Sequence, residues 1–69
     1  MTLYIHNNAY VIASNDGCRT ELCISHSDNT AVRLTSYDSN NEVDLRVEFP
    51  REMIKALIAG LTYLDTLPK

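Results

Sequence analysis

Val43-Asp44-Leu45-Arg46-Val47-Glu48-Phe49-Pro50-Arg51-Glu52-Met53-Ile54, residues 43–54, contains the change of period on which the fold turns. Up to Phe49, apolar and charged residues alternate strictly. Val43, Leu45, Val47 and Phe49 therefore lie on one face of a strand, and Asp44, Arg46 and Glu48 on the other. A slip of one residue would turn three charges inward and four apolar side chains outward, so the register is well specified. At Pro50 the pattern changes. Proline's fixed φ and missing donor suit the first turn of a helix, and Glu52 complements the positive end of its dipole. Met53, Ile54, Leu57, Ile58, Leu61 and Leu64 then recur at three- and four-residue spacing. That spacing predicts an amphipathic helix over about 50–66, packed on one face of the sheet and closed by Pro68.

Upstream of the decisive strand, short β-favouring runs are separated by turn chemistry. Leu3-Tyr4-Ile5 and Ala9 to Ala13 flank His6-Asn7-Asn8, and asparagine tolerates the positive φ of a tight hairpin. Asn15-Asp16-Gly17 marks the next turn, Ser27-Asp28-Asn29-Thr30 another, and Asp38-Ser39-Asn40-Asn41 the last. Between them, Cys18 to Ser25 places Thr20, Leu22 and Ile24 opposite Arg19, Glu21, Cys23 and Ser25, and Val32 and Leu34 alternate with Arg33 and Thr35 up to Tyr37. The expected architecture is α+β: an antiparallel β-meander of four to five strands over about 2–49, followed by one helix, in a single domain spanning residues 1–69.

With 69 residues, such a domain buries only about 60% of the surface its unfolded chain exposes. Without a disulfide or metal such a core rarely supplies more than roughly 3–5 kcal/mol, which makes dimerisation or a lasting partner a natural source of further stability. Six basic residues against nine acidic ones leave a net charge of −3, a field of the wrong sign for non-specific attraction to nucleic acid or anionic lipid. The N-terminal stretch lacks the basic start and apolar run of an export signal, and no segment approaches the roughly 20 apolar residues that cross a bilayer. The expected location is the cytoplasm, with no membrane role.

The sequence offers no recognisable catalytic or cofactor-binding pattern. Cys18 and Cys23, five apart on one strand, point to opposite faces and match no zinc spacing, so free thiols are expected. His26 follows Cys23 by three residues and His6 lies at the first turn; neither has an associated carboxylate-rich motif. The acidic residues form no calcium loop, and two glycines cannot build the usual phosphate cradle. No cofactor and no metal are expected, and the chain is not expected to be an enzyme.

Two surfaces remain. Arg19, Glu21, Arg33, Thr35, Tyr37, Asp44, Arg46 and Glu48 share the charged face of the strands and form the candidate interaction face. The same pattern also suits a solvated surface of cross-strand ion pairs, each worth under about 1 kcal/mol. On the helix, Ala56, Gly60, Tyr63 and Leu67 flank the core stripe and form the candidate dimer contact. Glycine inside a helix costs about 1 kcal/mol relative to alanine, so Gly60 marks a close approach, either of the first hairpin or of a second copy's helix. On this pattern Leu57→Asp should unfold the domain by charging its core, whereas Tyr63→Asp should act on a dimer.

The run Gly17-Cys18-Arg19-Thr20-Glu21-Leu22-Cys23-Ile24, an alternating last strand and the proline-started helix resemble the single-stranded-DNA-binding transcriptional coactivator family across roughly residues 17–64. The resemblance implies a four-stranded sheet, a dimerising helix and a nucleic-acid ligand, with Arg19, Arg33 and Arg46 supplying charge and Tyr37 a stacking platform. The chain departs from that family in its negative charge, its lack of tryptophan and its few lysines. The first expectation is therefore a non-enzymatic protein-interaction module, a small phage-type or accessory inhibitor or adaptor acting on a larger protein. The alternative is a homodimeric single-stranded nucleic-acid-binding protein.

Overall fold

The structure, a computed structural model, describes residues 1–68. Its strands β1 (Thr2–His6), β2 (Ala9–Ala13), β3 (Arg19–Ile24), β4 (Ala31–Tyr37) and β5 (Val43–Pro50) pair antiparallel in chain order. A 3-10 turn (Arg51–Met53) and one helix, α1 (Ile54–Asp65), follow, so the fold class is the α+β arrangement expected from the sequence.

Local chemistry sets each hairpin. Asn7 and Asn8 hold φ of 51° and 65°, the pair of left-handed residues that a two-residue loop needs to match strand twist. Gly17, at φ 93°, closes the β2–β3 loop, where the Asp16 carboxylate accepts the Cys18 N–H at 3.1 Å and the Ser14 hydroxyl donates to Asp16. Asp38 does the same work in the β4–β5 loop, accepting from the Asn40 and Glu42 N–H groups at 2.9 and 3.0 Å beside Asn41 at φ 64°.

Register sorts the side chains into two unlike faces. One carries the transverse rows Ile5, Tyr10, Leu22, Leu34, Val47 and Leu3, Ile12, Thr20, Ser36, Leu45, together with Ile24, Val32 and Phe49. No charged residue occurs among them. The opposite face carries the row Tyr4, Val11, Glu21, Thr35, Arg46 and the cross-strand neighbours Cys23, Arg33 and Glu48. A register irregularity at Ser36/Tyr37 sets Tyr37 opposite Val43, so the strict alternation expected over residues 43–49 holds only from Leu45 onward, and Val43 pairs with a residue of the charged face.

The helix departs from expectation in two respects. It starts later than Pro50, because Pro50 remains extended at ψ 141° opposite Ala31, and the Arg51 N–H bonds the Thr30 carbonyl at 2.9 Å. The Arg51 guanidinium also donates to the Asn29 carbonyl at 3.1 Å, so the chain leaves β5 tied to the β3–β4 loop. The stripe does not cover the sheet either. Ile54 borders the same apolar depression as Ile24 and Val32, but Ile58, Leu61 and Leu64 are 58–65% exposed, and α1 contains no buried residue.

As a result the apolar face is largely open, with Ile5 75%, Leu45 52% and Val47 41% exposed. The best-buried side chain, Val11 at 2%, lies on the charged face together with Thr35 at 5%. Long arginine and glutamate side chains can shelter that face with their aliphatic stems while their charged ends stay wet. The open face carries no such side chains.

Candidate interaction face

β3, β4 and β5 place Arg19, Arg33 and Arg46 on successive strands of the charged face, and each guanidinium is held. Arg19 Nε donates to Glu21 Oε2 at 2.8 Å, its Cζ stands 3.8 Å from the centroid of the Tyr37 ring, and Nη1 donates to Asn41 Oδ1. The bond to Glu21 raises the Arg19 pKa further above its already high ordinary value. Arg33 reaches across to β5, with Nε and Nη2 donating to Glu48 Oε1 at 3.1 and 2.9 Å. Its Nη2 also lies 3.5 Å from the hydroxyl of Ser25, which is 3% exposed. Arg46 Nε donates to Thr35 Oγ1 at 3.4 Å. Asp44 shares the face by alternation and makes no hydrogen bond or ion pair among the described residues.

The eight residues that the sequence grouped are thus brought onto one side, with most of their polar groups already paired. Both ion pairs are partly exposed, with side-chain accessibilities of 23–38%, which leaves each worth under about 1 kcal/mol. Their effect is to fix arginine geometry, because a guanidinium held on two sides loses less freedom when a partner docks.

One end of the sheet is acidic. Gly17 in the β2–β3 loop lies against Ser39 in the β4–β5 loop, which brings Asp16 near Asp38 and Glu42. The Ser14 hydroxyl, then the Cys18 backbone, hold the Asp16 carboxyl below its ordinary pKa. The Cys18 thiol is pushed up, first by its hydrogen bond to Asp16, then by burial and the fields of Asp16, Asp38 and Asp44. At the other end Asp28 is lowered by the Thr30 hydroxyl and N–H, at 2.6 and 2.9 Å.

Of the candidate dimer contact, Ala56, Gly60 and Tyr63 lie on α1, and Leu67 lies just beyond its end, exposed. Tyr63 is 64% exposed, and a Cβ built on Gly60 would meet nothing within 4 Å among the described residues. The first hairpin therefore does not approach Gly60, and that half of the sequence reading is corrected: α1 leaves the sheet before Gly60 is reached. Ala56, Gly60 and Tyr63 border a shallow apolar depression together with Leu57, Leu61 and Leu64.

Cys18 and Cys23 are free, half-buried thiols. Cys23 and His26 border one depression with Asn7, Asn8 and Ser25, and no hydrogen bond joins the two among the described residues. No group of three or more His, Cys, Asp or Glu among the described residues is placed to share a metal ion. Among the described residues no helix is long and apolar enough to cross a membrane.

Sequence reasoning missed the open apolar face and the buried positions on the charged one. The run Ala9-Tyr10-Val11-Ile12-Ala13, apolar on both faces, was the available signal for the latter. Compared with family models, curated proteins and solved structures, the chain gives no match.

Proposed function

We propose that this chain is a non-enzymatic protein-interaction module that acts on a larger protein as an inhibitor or adaptor. The observation that carries the reading is the uncovered, uncharged sheet face joined to a helix with an exposed apolar stripe. Contiguous apolar surface of this kind is expensive in water and marks a place where protein docks. On the opposite side of the sheet, the charged face and the acidic loop end around Asp16, Asp38 and Glu42 offer a fixed pattern of charge that favours a complementary partner and repels others.

The nucleic-acid reading draws on Arg19, Arg33, Arg46 and Tyr37 sharing a face. Against it, the half-buried ring of Tyr37 is occupied by Arg19, and Arg33 is engaged by Glu48, leaving little free charge for a phosphate backbone.

Affinity capture with the tagged protein, with and without nuclease, separates the two. A stoichiometric, nuclease-resistant protein partner that is lost on Arg33→Glu with Arg46→Glu is the expected result. Recovery of nuclease-sensitive material alone, with a labelled single-stranded oligonucleotide bound in a steeply salt-dependent way, would replace the proposal with the nucleic-acid reading.

A further inference from the structure

We infer that the occupant of the open sheet face is the helix of a second copy of this chain, each copy laying α1 across the other's β1–β5. The inference rests on the reading that the chain works through protein contacts; it gives the apolar surface to a second copy and leaves the charged face and the acidic loop end to the larger partner. Four observations converge on it.

The first is area. A folded chain of 7.8 kDa exposes about 4,400 Å² when compact, whereas this one exposes 5555 Å², an excess of about 1,150 Å². Its radius of gyration of 13.1 Å likewise exceeds the roughly 11 Å expected for this length. Removing the excess from both copies would bury roughly 2,300 Å², within the range of obligate homodimers, about 2,000–5,000 Å².

The second is complementarity within one sequence. The twelve residues of α1 span about 18 Å, and five strands measure about 19 Å from edge to edge. The stripe Leu57, Leu61, Leu64 and the rows through Leu34, Leu45 and Val47 are both uncharged, as the centre of an interface should be. Each surface is what the other lacks, and a two-fold pair satisfies both at once.

The third is reach. The junction is tied by the Arg51 bonds to Thr30 and Asn29, no loop intervenes between β5 and the 3-10 turn, and beyond Ile54, which borders its own sheet, α1 leaves Ile58, Leu61 and Leu64 exposed. The fourth is Gly60, where a Cβ would meet nothing within 4 Å among the described residues, so another backbone can approach closely beside Tyr63.

Sedimentation equilibrium on the full chain tests the inference across the micromolar range. The expected mass is twice that of the chain, with Leu61→Asp and Val47→Asp each weakening association about thirtyfold or more. In a mixture of isotope-labelled and unlabelled chains, filtered NOEs are expected between the methyls of Leu57, Leu61 or Leu64 and those of Leu34, Leu45 or Val47. This measurement needs no variant to fold. A monomer throughout, a dimer indifferent to Leu61→Asp, or helix–sheet NOEs confined to one chain would overturn it. A monomer that captures a larger protein would refute the second copy and leave the interaction reading standing, whereas a dimer that captures nothing would do the opposite.

Discussion

Gly17 and Asp16 stabilise the β2–β3 loop by different means, and the two can be separated by substitution. At Gly17 the φ of 93° is the constraint, since a Cβ there would meet Ser39 at an ordinary 3.5 Å. Gly17→Ala is expected to cost about 1 kcal/mol through backbone strain alone, read as a lowered urea midpoint with unchanged slope. At Asp16 the constraint is charge. The folded-state pKa of Asp16, like that of Asp28, is depressed by hydrogen bonds to the carboxylate. The stabilisation is therefore complete above the unfolded value of about 3.9 and lost as pH falls through the lower folded value. Amide exchange should report this locally. Protection at Cys18 and Thr30 is expected to fall together in acid, and Asp16→Asn should remove the acid response at Cys18 while sparing Thr30. These turns are the part of the fold that single residues make legible, because Asn, Asp and Gly act on their own backbone within four positions.

At the scale of the elements, alternation in β5 and the three- to four-residue period in α1 identify strand and helix without tertiary information. What they do not reveal is which element supports which. The pattern marks Leu57 as core and says nothing special of Val11, yet Leu57 is half-buried and Val11 is the best-buried side chain. Val11→Ala is expected to cost about 1.5–3 kcal/mol, measured by chemical denaturation. Val11→Asp should abolish the folded sheet, whereas Leu57→Asp should leave the strand amide spectrum intact in dilute solution. If Leu57→Asp instead collapsed that spectrum at concentrations where the chain is monomeric, α1 would have to lie on its own sheet. The helix start shows the same limit. Pro50 satisfies the requirements of a first helical position and of the end of an edge strand equally well, and the bond from the Arg51 N–H to the Thr30 carbonyl decides for the strand.

For the whole molecule, stability and association are one quantity if the apolar face is covered by a second copy. The thermal midpoint is then expected to rise with protein concentration, because mass action adds the free energy of dimerisation to that of folding. A midpoint independent of concentration, measured by scanning calorimetry over a hundredfold range, would separate the two. The sequence by itself determined the antiparallel meander, the places of its turns, the single helix and the alternation that sets Leu45, Val47 and Phe49 opposite Arg46 and Glu48. All of these follow from periods of two and 3.6 residues and from turn residues acting locally. Only the tertiary structure decided that the apolar face stays open, that Val11 and Thr35 are sheltered beneath the charged face, and that Arg19 and Arg33 are held by Glu21 and Glu48. The reason is geometric. Periodicity tells which side of an element avoids water, but the direction in which α1 leaves β5 depends on bonds from Arg51 to Asn29 and Thr30, some twenty residues away in the chain.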